Sequence, residues 1–199
     1  HGFQSPVQTN GIIMLWMTVA QTAGALMPSL VAFFLVRKLE GKAVGRSIFR
    51  RYRLWRTGFE WWMAAVLVVP ALTVCAILID VYGLNKGIPA NSILGQYLAS
   101  LGPGGLSLLF PVLLATGMIS SPLLEEYGWR GFALPRLQRS MSALWAAILL
   151  GLVWGLWHLP IWIAYGSDIP VYLLLIIGHS VIITWIYNST DGSMLMAMV

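Results

Sequence analysis

The sequence has few charged residues and almost no cysteine. Only 10% of its 199 residues are charged, and seven of those are acidic, whereas 58% of the residues are hydrophobic. Because a soluble domain carries about 25% charged residues, this composition excludes an ordinary soluble protein and indicates an integral membrane protein. Cys75 is the only cysteine, which excludes an intrachain disulfide and a cysteine-based zinc site.

Long apolar runs predict an all-α fold, a polytopic bundle of transmembrane helices. Runs of about 18 or more apolar residues are long enough to cross a bilayer as helices. The sequence predicts five full spans and the start of a sixth, at 12–36, 61–82, 105–134, 142–165, 171–187 and 193–199. We expect a single integral membrane domain with two parts, N-terminal helices in residues 1–104 and a functional core in residues 105–199.

The basic residues are concentrated in one stretch. Eight of the twelve lie between residues 37 and 56, and a second, smaller group lies at 136–139. Basic stretches between apolar spans are typical of cytoplasmic loops, so the base-poor stretches at 83–104 and 166–170 are predicted to lie on the outer side. The pattern predicts a multi-pass protein of a cell membrane whose partner is the lipid bilayer and not a nucleic acid.

Two adjacent glutamates, Glu125 and Glu126, lie at the end of an apolar run in the third predicted span. Ionised side chains are costly inside a bilayer and usually mark a functional site. On a helix Glu126 shares a face with Arg130, whereas Glu125 lies about 100° away. Such a pair suits general-base chemistry, with one acid held charged and its neighbour tuned towards neutrality. The alternative is a buried ion pair that only locks helices together.

His158 lies in the middle of the fourth predicted span. At about 1.5 Å per residue, Glu125 lies about 14 Å and His158 about 20 Å from the same side of the membrane, so the two could meet. Gly151 and Gly155 would allow close helix approach. Carboxylates with an imidazole could bind a divalent metal such as zinc, with His158 and Glu125 as ligands, or activate a water directly. The alternative is a packed, hydrogen-bonded histidine.

Two segments resemble motifs of a known family. The sequence Glu-Glu-Tyr-Gly-Trp-Arg at 125–130 fits the Glu-Glu-x-x-x-Arg motif of the CAAX-protease and bacteriocin-processing family of intramembrane proteases. The sequence Trp-Gly-Leu-Trp-His at 154–158 resembles that family's second motif, an aromatic residue followed four residues later by a histidine. The resemblance covers about residues 105–199 and implies an intramembrane protease core there.

The resemblance implies a role for each of four residues. Glu125 would be the base that activates the hydrolytic water, and His158 would orient that water or ligate a metal. Arg130 with Glu126 would hold the site. Both a metalloprotease mechanism, with one divalent metal such as zinc, and a metal-free glutamate mechanism are consistent with these residues.

A third family motif would follow the turn at 192–193. That motif is a histidine with an asparagine or similar residue four positions later, and the sequence stops at Val199 before it would occur. We therefore expect the sequence to be a fragment that is catalytically incomplete. His179 does not replace the missing histidine, because it precedes the turn and has Ile183 four residues later.

The resemblance implies an intramembrane endopeptidase of a prokaryotic plasma membrane. Its substrates would be membrane-anchored proteins or peptides, in CAAX-type processing or in bacteriocin maturation and self-immunity. The residues leave three alternatives: a non-catalytic membrane immunity or binding protein, a proton-coupled transporter, and a b-haem electron carrier with His158 and His179 as axial ligands. The sequence does not indicate an oligomeric state.

Overall fold

The computed structural model describes residues 11–78, 125–164 and 168–198, and every regular element in these ranges is helical. A 3₁₀ turn, Arg51–Arg53, follows the second helix, and a π-helical segment, Tyr127–Ala133, precedes the fourth. The helices are α1 (Gly11–Leu39), α2 (Lys42–Arg50), α3 (Phe59–Leu78), α4 (Leu134–Leu137), α5 (Ala143–Ala164), α6 (Ile169–Ser189) and α7 (Met194–Met198). The predicted all-α fold is confirmed.

Three of these helices are apolar and long enough to cross a membrane. The candidate spans are Thr22–Leu39 in α1, Ala143–Ile163 in α5 and Ile169–Ser189 in α6. Their outer faces expose large apolar side chains, with Phe34 66% and Leu174 71% exposed, as expected of surfaces that lie against lipid.

The predicted number of spans stays a prediction. Residues 79–124 lie outside the described residues, and they include most of the third predicted span. The predicted boundary between residues 104 and 105 falls in the same stretch.

The basic stretch between residues 37 and 56 contains an amphipathic helix, α2, where the sequence analysis predicts a loop. Gly45 and Ile48 are buried on one side of this helix, while Arg46 and Arg50 are exposed on the other. The buried side packs against the end of α1 and against the π segment. Apolar residues at helical spacing explain why this charged stretch folds as a surface helix.

Helices α5 and α6 pack closely through small residues. A Cβ atom at Gly151 would lie 2.8 Å from the Ile177 Cα and 2.9 Å from the Ser180 Cβ. The Ser180 hydroxyl donates a hydrogen bond of 2.8 Å to the Ala147 carbonyl oxygen. The small residues of α5 therefore allow close helix approach as predicted, and the neighbour they admit is α6.

Helix α1 packs directly on the π segment. A Cβ atom at Gly128 would lie 2.5 Å from the Pro28 carbonyl carbon, so only a glycine fits at this approach. The Gly128 N–H also donates a hydrogen bond of 3.2 Å to the Ser29 Oγ. The N-terminal part of the chain therefore helps to fix the segment that follows the glutamates.

Candidate active site

The glutamate pair is buried where α1, the π segment and α5 come together. Glu125 is 1% exposed, Glu126 2% and Arg130 0%. Arg130 Nη1 donates to Glu126 Oε1 at 2.8 Å, which confirms the predicted pairing even though the helix between them is π-helical. Local π-helical geometry is frequent at functional sites. Because both charges are out of water, removing one would leave the other uncompensated.

Glu125 is held by two tryptophan side chains. Trp154 Nε1 donates to Glu125 Oε2 at 2.8 Å, and Trp129 Nε1 donates to the same oxygen at 3.2 Å. Hydrogen bonds to a buried carboxylate are stronger than bonds between neutral groups, and two donors on one oxygen fix the carboxylate orientation. The sequence analysis gives Glu125 no partner on its own helix, and Trp129 supplies one.

Trp154 connects the two acids. The Arg130 Cζ lies 4.7 Å from the centroid of the Trp154 ring, within the range of a cation–π interaction. The same indole thus donates to Glu125 and contacts the cation that pairs with Glu126. The sequence analysis names Trp154 only as the aromatic residue of the second motif. Its position four residues before His158 is the signal that could have identified it.

His158 lies between two tryptophan rings on α5. Its ring centroid is 5.9 Å from that of Trp154 and 6.0 Å from that of Trp162, with which it is stacked at an interplanar angle of 23°. Glu125 and His158 therefore both contact Trp154, Glu125 through a hydrogen bond and His158 through its ring. The sequence analysis predicts that these two residues could meet, and the structure brings both of them to Trp154.

Several buried polar atoms have no hydrogen-bond partner within the described ranges. Three of them belong to the ion pair, namely Arg130 Nε, Arg130 Nη2 and Glu126 Oε2. A buried donor without a partner is costly, so native structures normally satisfy it with protein, water or ligand. A substrate carbonyl or a water could hydrogen-bond to these atoms.

Tyrosines from two other parts of the chain surround Glu126. Burial, together with the charge of Glu126, raises the pKa of the Tyr52 phenol, which therefore stays protonated and hydrogen-bonds to the Tyr127 backbone. Buried Tyr187 accepts a hydrogen bond from Arg51 Nη1. No sequence motif indicates these residues, because they come from the 3₁₀ turn and from α6.

His179 lies half-buried on α6. Its ring hydrogen-bonds to the Leu175 backbone and is close enough to Arg130 for their charges to interact. The sequence analysis concludes that His179 does not replace the missing histidine of the third motif. The structure places it near the site but bonded to its own helix.

The described side chains do not form a zinc site. No group of three or more His, Cys, Asp and Glu residues within residues 11–78, 125–164 and 168–198 could hold a metal ion. Zinc sites in proteins use at least three such ligands, while here Glu126 is paired with Arg130 and Glu125 accepts from two indoles. A metal held by His158 and Glu125 stays a prediction from the sequence.

Comparison with known proteins agrees with the motifs. Residues 106–199, which contain the glutamate pair, Arg130 and His158, match the family described as type II CAAX prenyl endopeptidase Rce1-like. The chain is also similar to a protein of Methanococcus maripaludis named CAAX prenyl protease 2. The two are 27% identical over 207 residues, which cover 96% of this chain and 70% of that protein. No solved structure matches the chain.

The family match, the similar protein and the helical fold are consistent with one another. The matched residues contain both motifs, and the described helices include three that could cross a membrane. Residues 106–199 therefore match the CAAX-protease type of intramembrane protease that the two motifs indicate.

Proposed function

We propose that this chain is an intramembrane endopeptidase in which Glu125 activates the water that hydrolyses a peptide bond. One observation carries the proposal. Two indole N–H groups converge on one oxygen of a carboxylate that is 1% exposed, next to a buried ion pair. An oriented carboxylate in a site with little water is the arrangement that general-base catalysis needs.

The neighbouring charges support this role. The Arg130 guanidinium contacts the Glu126 carboxylate at 2.8 Å and so places a positive charge beside the glutamate pair. Glu125 would take a proton from the attacking water as the oxygen bonds to the substrate carbonyl carbon. The Arg130 N–H groups without a partner in the described residues would donate to the carbonyl oxygen as negative charge develops there.

His158 completes the proposed reaction. Stacking against Trp162 fixes the imidazole beside Trp154, from which it would orient the attacking water. As the C–N bond breaks, the proton that Glu125 took from the water would pass to the leaving amine. The proposed steps use side chains of this chain alone and pass through no metal.

The substrate is proposed from the relatives. The M. maripaludis protein is named a CAAX prenyl protease, so a membrane-anchored protein with a prenylated C-terminal segment is the first substrate class for this chain. Bacteriocin maturation or self-immunity in a prokaryotic plasma membrane is the second. In both cases the substrate is anchored in the same bilayer as the enzyme.

A cleavage assay tests the proposal. The full-length protein is reconstituted in liposomes with two quenched peptides that differ only in their anchor, a prenyl group or a transmembrane segment. We expect cleavage of at least one peptide at a single bond, defined by mass spectrometry, and loss of that cleavage in the His158→Ala variant. Silence with both peptides would contradict the proposal and favour the immunity or binding protein. Uptake that depends on a proton gradient would instead favour the transporter.

A further inference from the structure

A groove between α1 and α2 lies beside the candidate active site and has no part in the proposed reaction. Its volume is about 860 Å³, and residues of α1, α2, the 3₁₀ turn and the π segment line it. The nearest site residue in sequence is Tyr127, which lines the groove and directly follows Glu126.

One wall of the groove is cationic. Arg46 and Arg50 of α2 and Arg53 of the 3₁₀ turn line it, and all three are exposed. No acidic side chain is among the described residues that line the groove. Glu40, at the end of the same connection, is paired with Arg136 instead. Three arginines without a carboxylate partner in the groove suit an anionic group, above all a phosphate.

The opposite wall is apolar and lies in a candidate membrane span. Leu26, Leu30 and Phe33 line the groove from the span Thr22–Leu39. Their spacing of four and three residues places them on one helix face, and they extend about 10 Å along the axis at about 1.5 Å per residue. This wall therefore leads from the arginines at the membrane surface towards the bilayer interior.

The floor of the groove is aromatic and offers few free polar groups. The Phe49 and Tyr127 rings lie 4.7 Å apart, and Tyr52 also lines the floor. The Tyr52 phenol is bonded to the Tyr127 backbone, and the Ser29 hydroxyl accepts from the Gly128 N–H. The Tyr127 hydroxyl has no partner among the described residues, but one such group is too few for a peptide backbone, whereas a hydrocarbon chain needs none.

We infer that the groove binds an anionic phospholipid of the surrounding membrane. Arg46, Arg50 and Arg53 would hold the headgroup phosphate at the membrane surface, while one acyl chain would lie along Leu30 and its neighbours on α1. The amphipathic helix α2 follows the end of a membrane span, which is where anionic lipid headgroups are found. The bound lipid would also contact Tyr127 and so support the π segment after Glu126.

Native mass spectrometry of the detergent-solubilised protein tests this inference. Phosphatidylglycerol and phosphatidylcholine with identical acyl chains are titrated separately, and the bound fraction of each is measured. The test variant is Arg46→Gln/Arg50→Gln/Arg53→Gln. The control variant, Lys38→Gln/Lys42→Gln/Arg56→Gln, removes the same number of charges from the same basic stretch, but from residues that do not line the groove.

We expect wild type and the control variant to prefer phosphatidylglycerol by about tenfold or more, and the groove variant to lose that preference. A second variant, Leu30→Trp, fills the apolar wall without changing charge and should weaken the binding of phosphatidylglycerol while the arginines remain. Equal loss in the groove and control variants would show a net-charge effect and would overturn the inference. Full lipid binding by both groove variants would also overturn the inference. If those variants also had a raised KM for a peptide substrate in phosphatidylcholine liposomes, the groove would be a substrate site.

Discussion

Trp154 donates its indole N–H to Glu125 Oε2 over 2.8 Å, and this bond joins the two family motifs. The bond spans 29 residues of sequence and links Glu125, two residues before the π segment, to the middle of α5. The Arg130 guanidinium lies on the ring of the same tryptophan. Trp154 therefore positions the proposed base and the counterion of its neighbour with one side chain.

Replacing Trp154 by phenylalanine tests this positioning. The Trp154→Phe variant keeps an aromatic ring under Arg130 but loses the N–H donor to Glu125. Since a hydrogen bond to a charged group contributes about 1.5–3 kcal/mol, we expect kcat to fall about tenfold to a hundredfold with a smaller change in KM. The matched control is Trp157→Phe, an exposed tryptophan of the same helix, which should keep the wild-type kcat. Equal activity of the two variants would refute a positioning role for Trp154.

Removing the Arg130 charge should destabilise the protein. The Arg130→Met variant leaves Glu126 buried without its counterion, and we expect the free energy of unfolding to fall by about 3–5 kcal/mol. The second substitution Glu126→Gln in the same chain should recover much of that loss. The measurement is denaturant or SDS unfolding in mixed micelles.

The control for this pair is Arg136→Met. Arg136 pairs with Glu40 in a partly exposed position, so its removal should cost only about 0–1 kcal/mol. If Arg130→Met lowered the free energy of unfolding as little as Arg136→Met, the Glu126–Arg130 pair would not stabilise the site as described.

A matched pair of glycine substitutions tests the contact between α1 and the π segment. At Gly128 a Cβ atom would lie 2.5 Å from the Pro28 carbonyl carbon, which is backbone and cannot move aside cheaply. We expect Gly128→Ala to cost about 1–3 kcal/mol of stability through overpacking and to lower activity. A Cβ atom at Gly178 of α6 would have no other atom within 4 Å, so Gly178→Ala should be neutral or slightly stabilising. Thermal unfolding measures both, and equal melting temperatures would contradict the close packing at Gly128.

Local spacing was enough to predict the core of the site. The separation of four residues predicted the contact between Glu126 and Arg130, and this contact survives in the π-helical segment because both side chains still lie on one face. Apolar runs likewise predicted α1, α5 and α6, since helix length and composition are properties of single segments.

Contacts between distant parts of the chain could not be predicted in this way. The Gly128 N–H bonds to Ser29, 99 residues earlier, and a single sequence has no pattern that aligns these two positions. The basic stretch was predicted as a loop because its charge dominated the pattern, while the buried side of α2 consists of little more than Gly45 and Ile48. Such faces become visible only when their neighbours in the fold are known.

The central claim is that Glu125 activates the hydrolytic water, and the Glu125→Gln variant tests it most directly. Its single-turnover cleavage rate in liposomes is compared with those of wild type and of Glu60→Gln, an exposed glutamate at the start of α3. General-base catalysis contributes about a hundredfold to ten-thousandfold, so we predict a loss of that size for Glu125→Gln, a wild-type rate for Glu60→Gln, and no change when a metal chelator is added. Cleavage by Glu125→Gln at the wild-type rate would contradict the account, and a chelator-induced loss reversed by zinc would contradict its metal-free form.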